Sequence, residues 1–209
     1  MKCERKSIDK ILKEKNGGIR LDLGGGGAPQ AGFVNIDVRD MPTVDIVHNL
    51  ELFPWPLPDE CCSMVMASHL LEHINPTYPD ARIAVLIKLL LKKKLISEKE
   101  VKETIGEIEP GAIFMRFIDE IWRVLKPGGQ FMAAFPYAGS PGFFQDPTHC
   151  NNINEATLAY FDPFEAGGFL FKIYKPKPWK ILQSALASNL NGNMEIVLEK
   201  RLIDKSYYA

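Results

Sequence analysis

The feature that most constrains this chain is a run of four glycines directly behind a short apolar segment, Ile19-Arg20-Leu21-Asp22-Leu23-Gly24-Gly25-Gly26-Gly27. Ile19 to Leu23 reads as a buried strand entered from the stop signal Asn16-Gly17-Gly18. A glycine turn behind such a strand lets a ligand approach the backbone where a Cβ would collide, and open α/β sheets bind ligands at the carboxyl ends of their strands. Only nine residues separate Leu23 from Phe33, which opens the next apolar run, FVNID. Parallel strands normally need a crossover of a dozen residues or more, usually helical, so the first crossover helix must be short or missing. Asp37 closes FVNID where an acid can hydrogen-bond a ribose diol, and loop and acid together imply a nucleoside-containing ligand. A dinucleotide is disfavoured. Its pyrophosphate needs a helix amino terminus after the glycines, whereas Pro29 stands where G-x-G-x-x-G ends and no helix has room to form.

Further along, Val44 to Val47 and Ser63 to Ala67 read as two more strands, set off by turn residues such as Asp40, Pro42 and Asn49. Residues 76–111 change character: lysine- and glutamate-rich stretches carry apolar residues at helical spacing (Ile83, Ile87, Leu90, Leu91, then Leu95, Val101, Ile105), the mark of a helical insertion after the fourth strand. Ile113, Phe114, Phe117, Ile118, Ile121, Val124 and Leu125 make one apolar helical face, closed by Lys126-Pro127-Gly128-Gly129 before a fifth strand from Gln130 to Phe135. Pro136 to Phe164 reads as a long loop of the kind that is often functional, with Phe169–Tyr174 and Glu195–Leu202 as closing strands at an antiparallel edge. Ser7 to Lys15 has helical composition.

At 209 residues the chain is expected to form a single domain spanning 1–209. Its 25 basic and 26 acidic residues leave no global excess to draw it onto nucleic acid or anionic lipid, so neither partner is expected. Cys3, Cys61, Cys62 and Cys150 show no CxxC spacing and are read as reduced thiols. The start MKCERKSIDK lacks an apolar signal region, and the patch from Ile83 to Leu91 is too short to span a membrane; the expectation is a soluble, cytoplasmic protein.

Several segments together resemble the class I S-adenosylmethionine-dependent methyltransferases. Asp22 to Ala28 is similar to their D/E-x-G-x-G-x-G motif with Ala28 in place of the last glycine. Val44 to Leu50 looks like their third strand, and Leu57 to Ile74 (LPDECCSMVMASHLLEHI) like the fourth strand and following helix. Ile118 to Pro136 (IDEIWRVLKPGGQFMAAFP) is similar to the approach to the fifth strand, and R-V-L-K-P-G-G is its most specific part. The resemblance implies a Rossmann-like sheet, mostly parallel with an antiparallel edge, and S-adenosyl-L-methionine as cofactor. Carried over by position, Leu23, Gly24, Gly25 and Gly26 would face the methionine moiety, Asp37 and Val38 the ribose, Asn49 and Leu50 the adenine, and Ser68 and His69 the sulfonium end. Asn49 can equally be a turn former, and Asp22 can serve to orient loop amides.

Methyl transfer to an unidentified acceptor, a small molecule or glycan accepting at oxygen or nitrogen, is the function the resemblance implies. A catalytically silent nucleoside-binding module of the same fold is the alternative. A general base is needed for poor nucleophiles only, and the candidates lie in the long loop: His149, with Asp146 orienting it, and Tyr137 lining the pocket. His149 could instead hydrogen-bond backbone and pin the loop. His69 and His73 fall four apart on the expected helix with Glu72 between them, a metal-compatible spacing, but the HExxH order is absent and no metal is expected.

Overall fold

The computed structural model describes residues 7–14, 18–76, 81–105, 113–165, 176–186 and 192–202. Seven strands, β1 (Ile19–Leu23), β2 (Val34–Asp37), β3 (Ile46–Val47), β4 (Cys62–Ser68), β5 (Leu125–Pro136), β6 (Trp179–Leu186) and β7 (Asn193–Lys200), form one sheet in the order β3-β2-β1-β4-β5-β7-β6. The first five run parallel to one another, while β7 is antiparallel to both β5 and β6. This is the Rossmann-like sheet with an antiparallel edge. β1 and β2 lie inside the sheet and nearly all their side chains are buried, Arg20 alone being exposed; both sequences alternate apolar and polar residues, so Asp22, Asn35 and Asp37 are polar groups buried in the sheet.

The connection from Leu23 to Val34 contains turns and no helix, and no helix forms anywhere between β1 and β4. Helices α1 (Ile8–Glu14), α2 (Ala81–Lys92), α3 (Glu98–Ile105) and α4 (Ile113–Val124) lie before β1 or after β4, with α2 and α3 in the interval where an insertion is expected. α4 lays Ile113, Phe114, Phe117, Ile118, Ile121 and Val124 into the core. Each such side chain contributes about 1.5–3 kcal/mol of burial. Phe117 meets Trp55 edge to face at 5.6 Å between ring centroids. The same helix grips the segment before β4 through polar groups: Glu120 accepts the Trp55 backbone N–H at 2.7 Å, and Arg123 donates to Glu120, to Asp59 and to the Leu57 carbonyl.

Several sequence expectations are corrected. Lys126–Gly129 does not sit between helix and strand but inside β5: Cys62 pairs with Leu125 and Met64 with Gln130, so the strand bulges there, with Gly128 at φ +72°. The helix expected after β4 is a single 3₁₀ turn, Leu71–His73, and His69 precedes it at φ +51°; His69 and His73 therefore do not share a helical face. The long loop contains two short helices, α5 (Pro141–Phe144), capped by Ser140, and α6 (Glu155–Ala159), started by an Asn154–Thr157 capping box. The strand expected at Phe169–Tyr174 lies outside the described residues. The strand that pairs with β7 is β6, which buries Trp179 and leaves most of its other side chains exposed.

Candidate active site

The carboxyl ends of β1, β2 and β4 converge on the glycine loop. Gly24, at φ +70°, donates its N–H to the Ile36 carbonyl at 2.8 Å, and a Cβ there would stand 2.9 Å from Leu70 Cδ1. Gly26, at φ +52°, donates to Asp37 Oδ2 at 3.1 Å, while its carbonyl accepts from Asn35 Nδ2 at 3.0 Å and Thr43 Oγ1 at 2.7 Å. Asp22 accepts the Gln30 N–H at 2.7 Å, so its carboxylate orients the loop; burial raises its pKa and that hydrogen bond partly offsets the rise. A Cβ on Gly25 would lie 2.7 Å from Asp22 Oδ2 and 2.8 Å from Asn35 Oδ1, a collision with two fixed polar groups. Leu23 contributes a fully buried side chain, so only its backbone can reach a ligand.

Asp37 ends β2 beside this loop. Its carboxylate accepts four hydrogen bonds: from Gly26 N–H, from Arg39 N–H at 2.8 Å, and from Arg39 Nε and Nη2, each at 3.0 Å. These hold its pKa below the usual carboxylate range, the Arg39 side chain being the largest cause. The Arg39 side chain is 61% exposed and lies over Gly26. Arg39, Asn35 and Thr43 were not anticipated. Only Asn35 carries a sequence signal, a polar residue in the middle of the strand VNID.

The remaining edge is open. Val38 is 62% exposed, and Asn49, Ser68 and His69 are also exposed. Asn49 Oδ1 accepts the Glu51 N–H at 3.0 Å, so this side chain forms the turn that follows β3, while the Leu50 side chain is core. His69 donates its backbone N–H to the Ala134 carbonyl at 2.8 Å, joining the ends of β4 and β5.

The long loop folds back over this region. The Cys150 and Asn151 N–H groups both donate to the Glu72 carbonyl, at 2.9 and 3.1 Å, which anchors the loop on the 3₁₀ turn. His149 is brought to that turn with its ring nearly buried: Nδ1 bonds the Phe143 carbonyl at 2.7 Å, and Nε2 lies 4.0 Å from Glu72 Oε1 and 3.8 Å from Asp146 Oδ2. Because a carbonyl only accepts, Nδ1 carries the proton. Asp146 accepts from the Thr148 hydroxyl at 2.7 Å and its N–H at 2.8 Å, which lower its pKa. Tyr137 donates its hydroxyl to Glu155 at 3.4 Å, and that bond raises its pKa. His149 and Asp146 thus stand together, and Tyr137 turns to Glu155 instead. Glu72, which the sequence placed only between His69 and His73, is fully buried, and among the described residues neither of its carboxylate oxygens has a hydrogen-bond partner.

No protein-family model matches the sequence, and no curated protein matches it. Among solved structures, the chain is similar to one from the Haloferax volcanii complex of the Trm112 methyltransferase activator with a proposed methyltransferase, at 12% identity, covering 90% of this chain and 84% of that one with a TM-score of 0.51. A Burkholderia thailandensis 1,6-didemethyltoxoflavin-N1-methyltransferase bound to S-adenosylhomocysteine aligns at 13% identity over 91% of this chain and 75% of that one, TM-score 0.49. A 16S rRNA (adenine(1408)-N(1))-methyltransferase from Catenulisporales acidiphilia aligns at 11% identity, covering 93% and 91%, TM-score 0.49. In strand order, edge and glycine turn, the chain has the fold of the class I S-adenosylmethionine-dependent methyltransferases.

Proposed function

We propose that this chain transfers the methyl group of S-adenosyl-L-methionine to an oxygen or nitrogen of an acceptor, with small molecules and glycans the first classes to screen. The observation that carries this reading is the pairing of Asp37 with a glycine loop that has no helix behind it. An acid beside the loop suits a ribose diol, and the loop offers no helix amino terminus to a pyrophosphate. The residues present fit the cofactor with one adjustment. The Asp37 carboxylate is already fully used as an acceptor, and the exposed Arg39 guanidinium is the partner able to leave and make room for ribose hydroxyls.

When bound, the sulfonium supplies a methyl group activated by its positive charge. The chain's task is alignment: the Gly24–Gly26 backbone and Asp37 hold one end, the exposed Asn49 and the Leu50 backbone border the adenine side, and Ser68 and His69 end β4 at the reacting side. The acceptor's proton passes to a nearby base. His149 Nε2 is suited to assist there, because the bond from Nδ1 to Phe143 fixes the ring and leaves Nε2 as the basic nitrogen. Asp146 Oδ2 lies 3.8 Å from the same nitrogen, on the side where that proton would arrive.

Calorimetric titration tests the reading. S-adenosylhomocysteine should bind and raise the melting temperature by mass action, and NAD should do neither. NAD binding more tightly than S-adenosylhomocysteine would overturn it. A panel of hydroxyl and amine acceptors, read by release of S-adenosylhomocysteine, then separates an enzyme from a silent binding module.

A further inference from the structure

Beside the glycine loop, Glu72, His73 and His149 each place one ligand-type atom within 4.8 Å of the others. Glu72 is 1% exposed and neither of its oxygens has a hydrogen-bond partner among the described residues. A buried carboxylate left in this state is strongly penalised by desolvation, so something must satisfy it. The groups around it do not do so as they stand. His69 Nδ1 comes to 3.3 Å without forming a hydrogen bond, and His149 Nε2 is 4.0 Å away.

The hydrogen bonds behind the histidines supply the second observation. His149 donates Nδ1–H to the Phe143 carbonyl, so in its neutral form Nε2 turns a lone pair toward the Glu72 carboxylate. Two electron-rich groups then face each other across a gap too long for a hydrogen bond. At His73, Nδ1 contacts the Thr148 hydroxyl at 3.1 Å, and that hydroxyl gives its single proton to Asp146 at 2.7 Å. Thr148 must therefore accept from His73, which leaves Nε2 as the basic nitrogen of that ring too. A ring N–H donated to a carbonyl or to a carboxylate-backed hydroxyl is the outer support that orients metal-bound histidines. The half-exposed His69 and Asp146 side chains form the entry side.

The geometry points to a divalent metal site formed by Glu72, His73 and His149, with His69 or Asp146 and solvent completing the coordination. Two imidazoles and one carboxylate suit a borderline ion such as Zn²⁺ or Co²⁺. A tetrahedral site with bonds of 2.0–2.1 Å has edges of roughly 3.4 Å, so the cluster would contract by about 1 Å on loading. Leu70, in contact with the glycine loop at Gly24, lies two residues from Glu72, which puts the ion at the reacting end of the cleft. Its role there rests on the methyltransferase reading: an open coordination position would bind an acceptor oxygen, and His149 would then serve the acceptor through the ion rather than as a free base.

Metal-free protein titrated with ZnCl₂ should bind one equivalent. The Co²⁺ form should show the visible bands of a four- or five-coordinate site. Glu72→Gln, and the double variant His73→Ala with His149→Ala, should weaken Zn²⁺ by more than about 100-fold, and Thr148→Val, which removes only a support, by about 10–100-fold. Should a ligand variant fail to fold, ¹⁵N-histidine spectra of the wild type decide: Zn²⁺ should shift His73 and His149 and leave His48 in place. Wild type binding Zn²⁺ no more tightly than a folded Glu72→Gln variant, or Zn²⁺ leaving the His73 and His149 signals unmoved, overturns the site. S-adenosylhomocysteine titrated into the same preparation keeps the questions apart. Metal binding without it refutes the methyltransferase reading alone, and the reverse refutes the metal site alone.

Discussion

Truncating Arg39 to alanine removes two of the four hydrogen bonds on the Asp37 carboxylate and leaves those from the Gly26 and Arg39 backbone N–H groups in place. If Asp37 is the ribose acceptor, those two positions are the ones the ribose hydroxyls need, and wild type must open the Arg39 fork before it binds. The Arg39 side chain is 61% exposed while the Asp37 carboxylate is only 4% exposed, so opening the fork costs about 1 kcal/mol, the upper end for an exposed pair. Arg39→Ala should therefore tighten S-adenosylhomocysteine binding by up to about fivefold. Asp37→Ala should weaken it by about 1.5–3 kcal/mol, roughly tenfold to a hundredfold. Isothermal calorimetry on the two variants at the same ionic strength makes the comparison, with circular dichroism to show that both are folded. A tenfold loss of affinity in Arg39→Ala would refute the reasoning, because Arg39 would then be holding the cofactor rather than competing with it. Wild-type affinity in a folded Asp37→Ala variant would refute it from the other side.

Glu120→Ala strips the buried Trp55 N–H of its acceptor and Arg123 of its principal partner. The expected cost is about 3–5 kcal/mol, a fall in melting temperature of roughly 6–20 °C by calorimetry. Gly25→Ala drives a Cβ against Asp22 and Asn35, so a loss of about 1–3 kcal/mol should come with weaker S-adenosylhomocysteine binding; an unchanged melting temperature would mean that the loop is looser than described. Burial pushes the Asp119 carboxyl up to about 6, with the Lys177 N–H as a partly compensating donor. The folded state thus holds this proton more tightly than the unfolded chain, a contribution present below about pH 4 and lost as pH rises through 6. Asp119→Asn keeps the acceptor and removes the titration, so it should be more stable than wild type at pH 7.5 and show no such gain at pH 4, as thermal melts at the two values would show.

The sheet and its glycine turn were legible because they depend on local pattern. Ile19–Leu23 and Val34–Asp37 alternate apolar and polar residues at the strand period and so announce themselves as strands, and the nine residues between Leu23 and Phe33 allow no long crossover helix whatever packs against them. β6 escaped notice for the opposite reason: an edge strand buries little beyond Trp179, so its sequence carries no core pattern. Lys126–Gly129 looks like a helix stop, yet α4 has already ended at Val124, and that these residues bulge within β5 is decided by pairing with β4. Asn35 reads as a polar intrusion until its amide is seen to hold the Gly26 and Thr43 carbonyls. The histidines show the limit most plainly. Spacing alone pairs His69 with His73, but the positive φ at His69 breaks that helix, and it is the long loop, tied by Cys150 and Asn151 to the Glu72 carbonyl, that sets His149 against Glu72 and His73. Backbone preferences act over a few residues and can be read in order along the chain. The meeting of a buried carboxylate with an imidazole from a distant loop depends on packing that no local window contains.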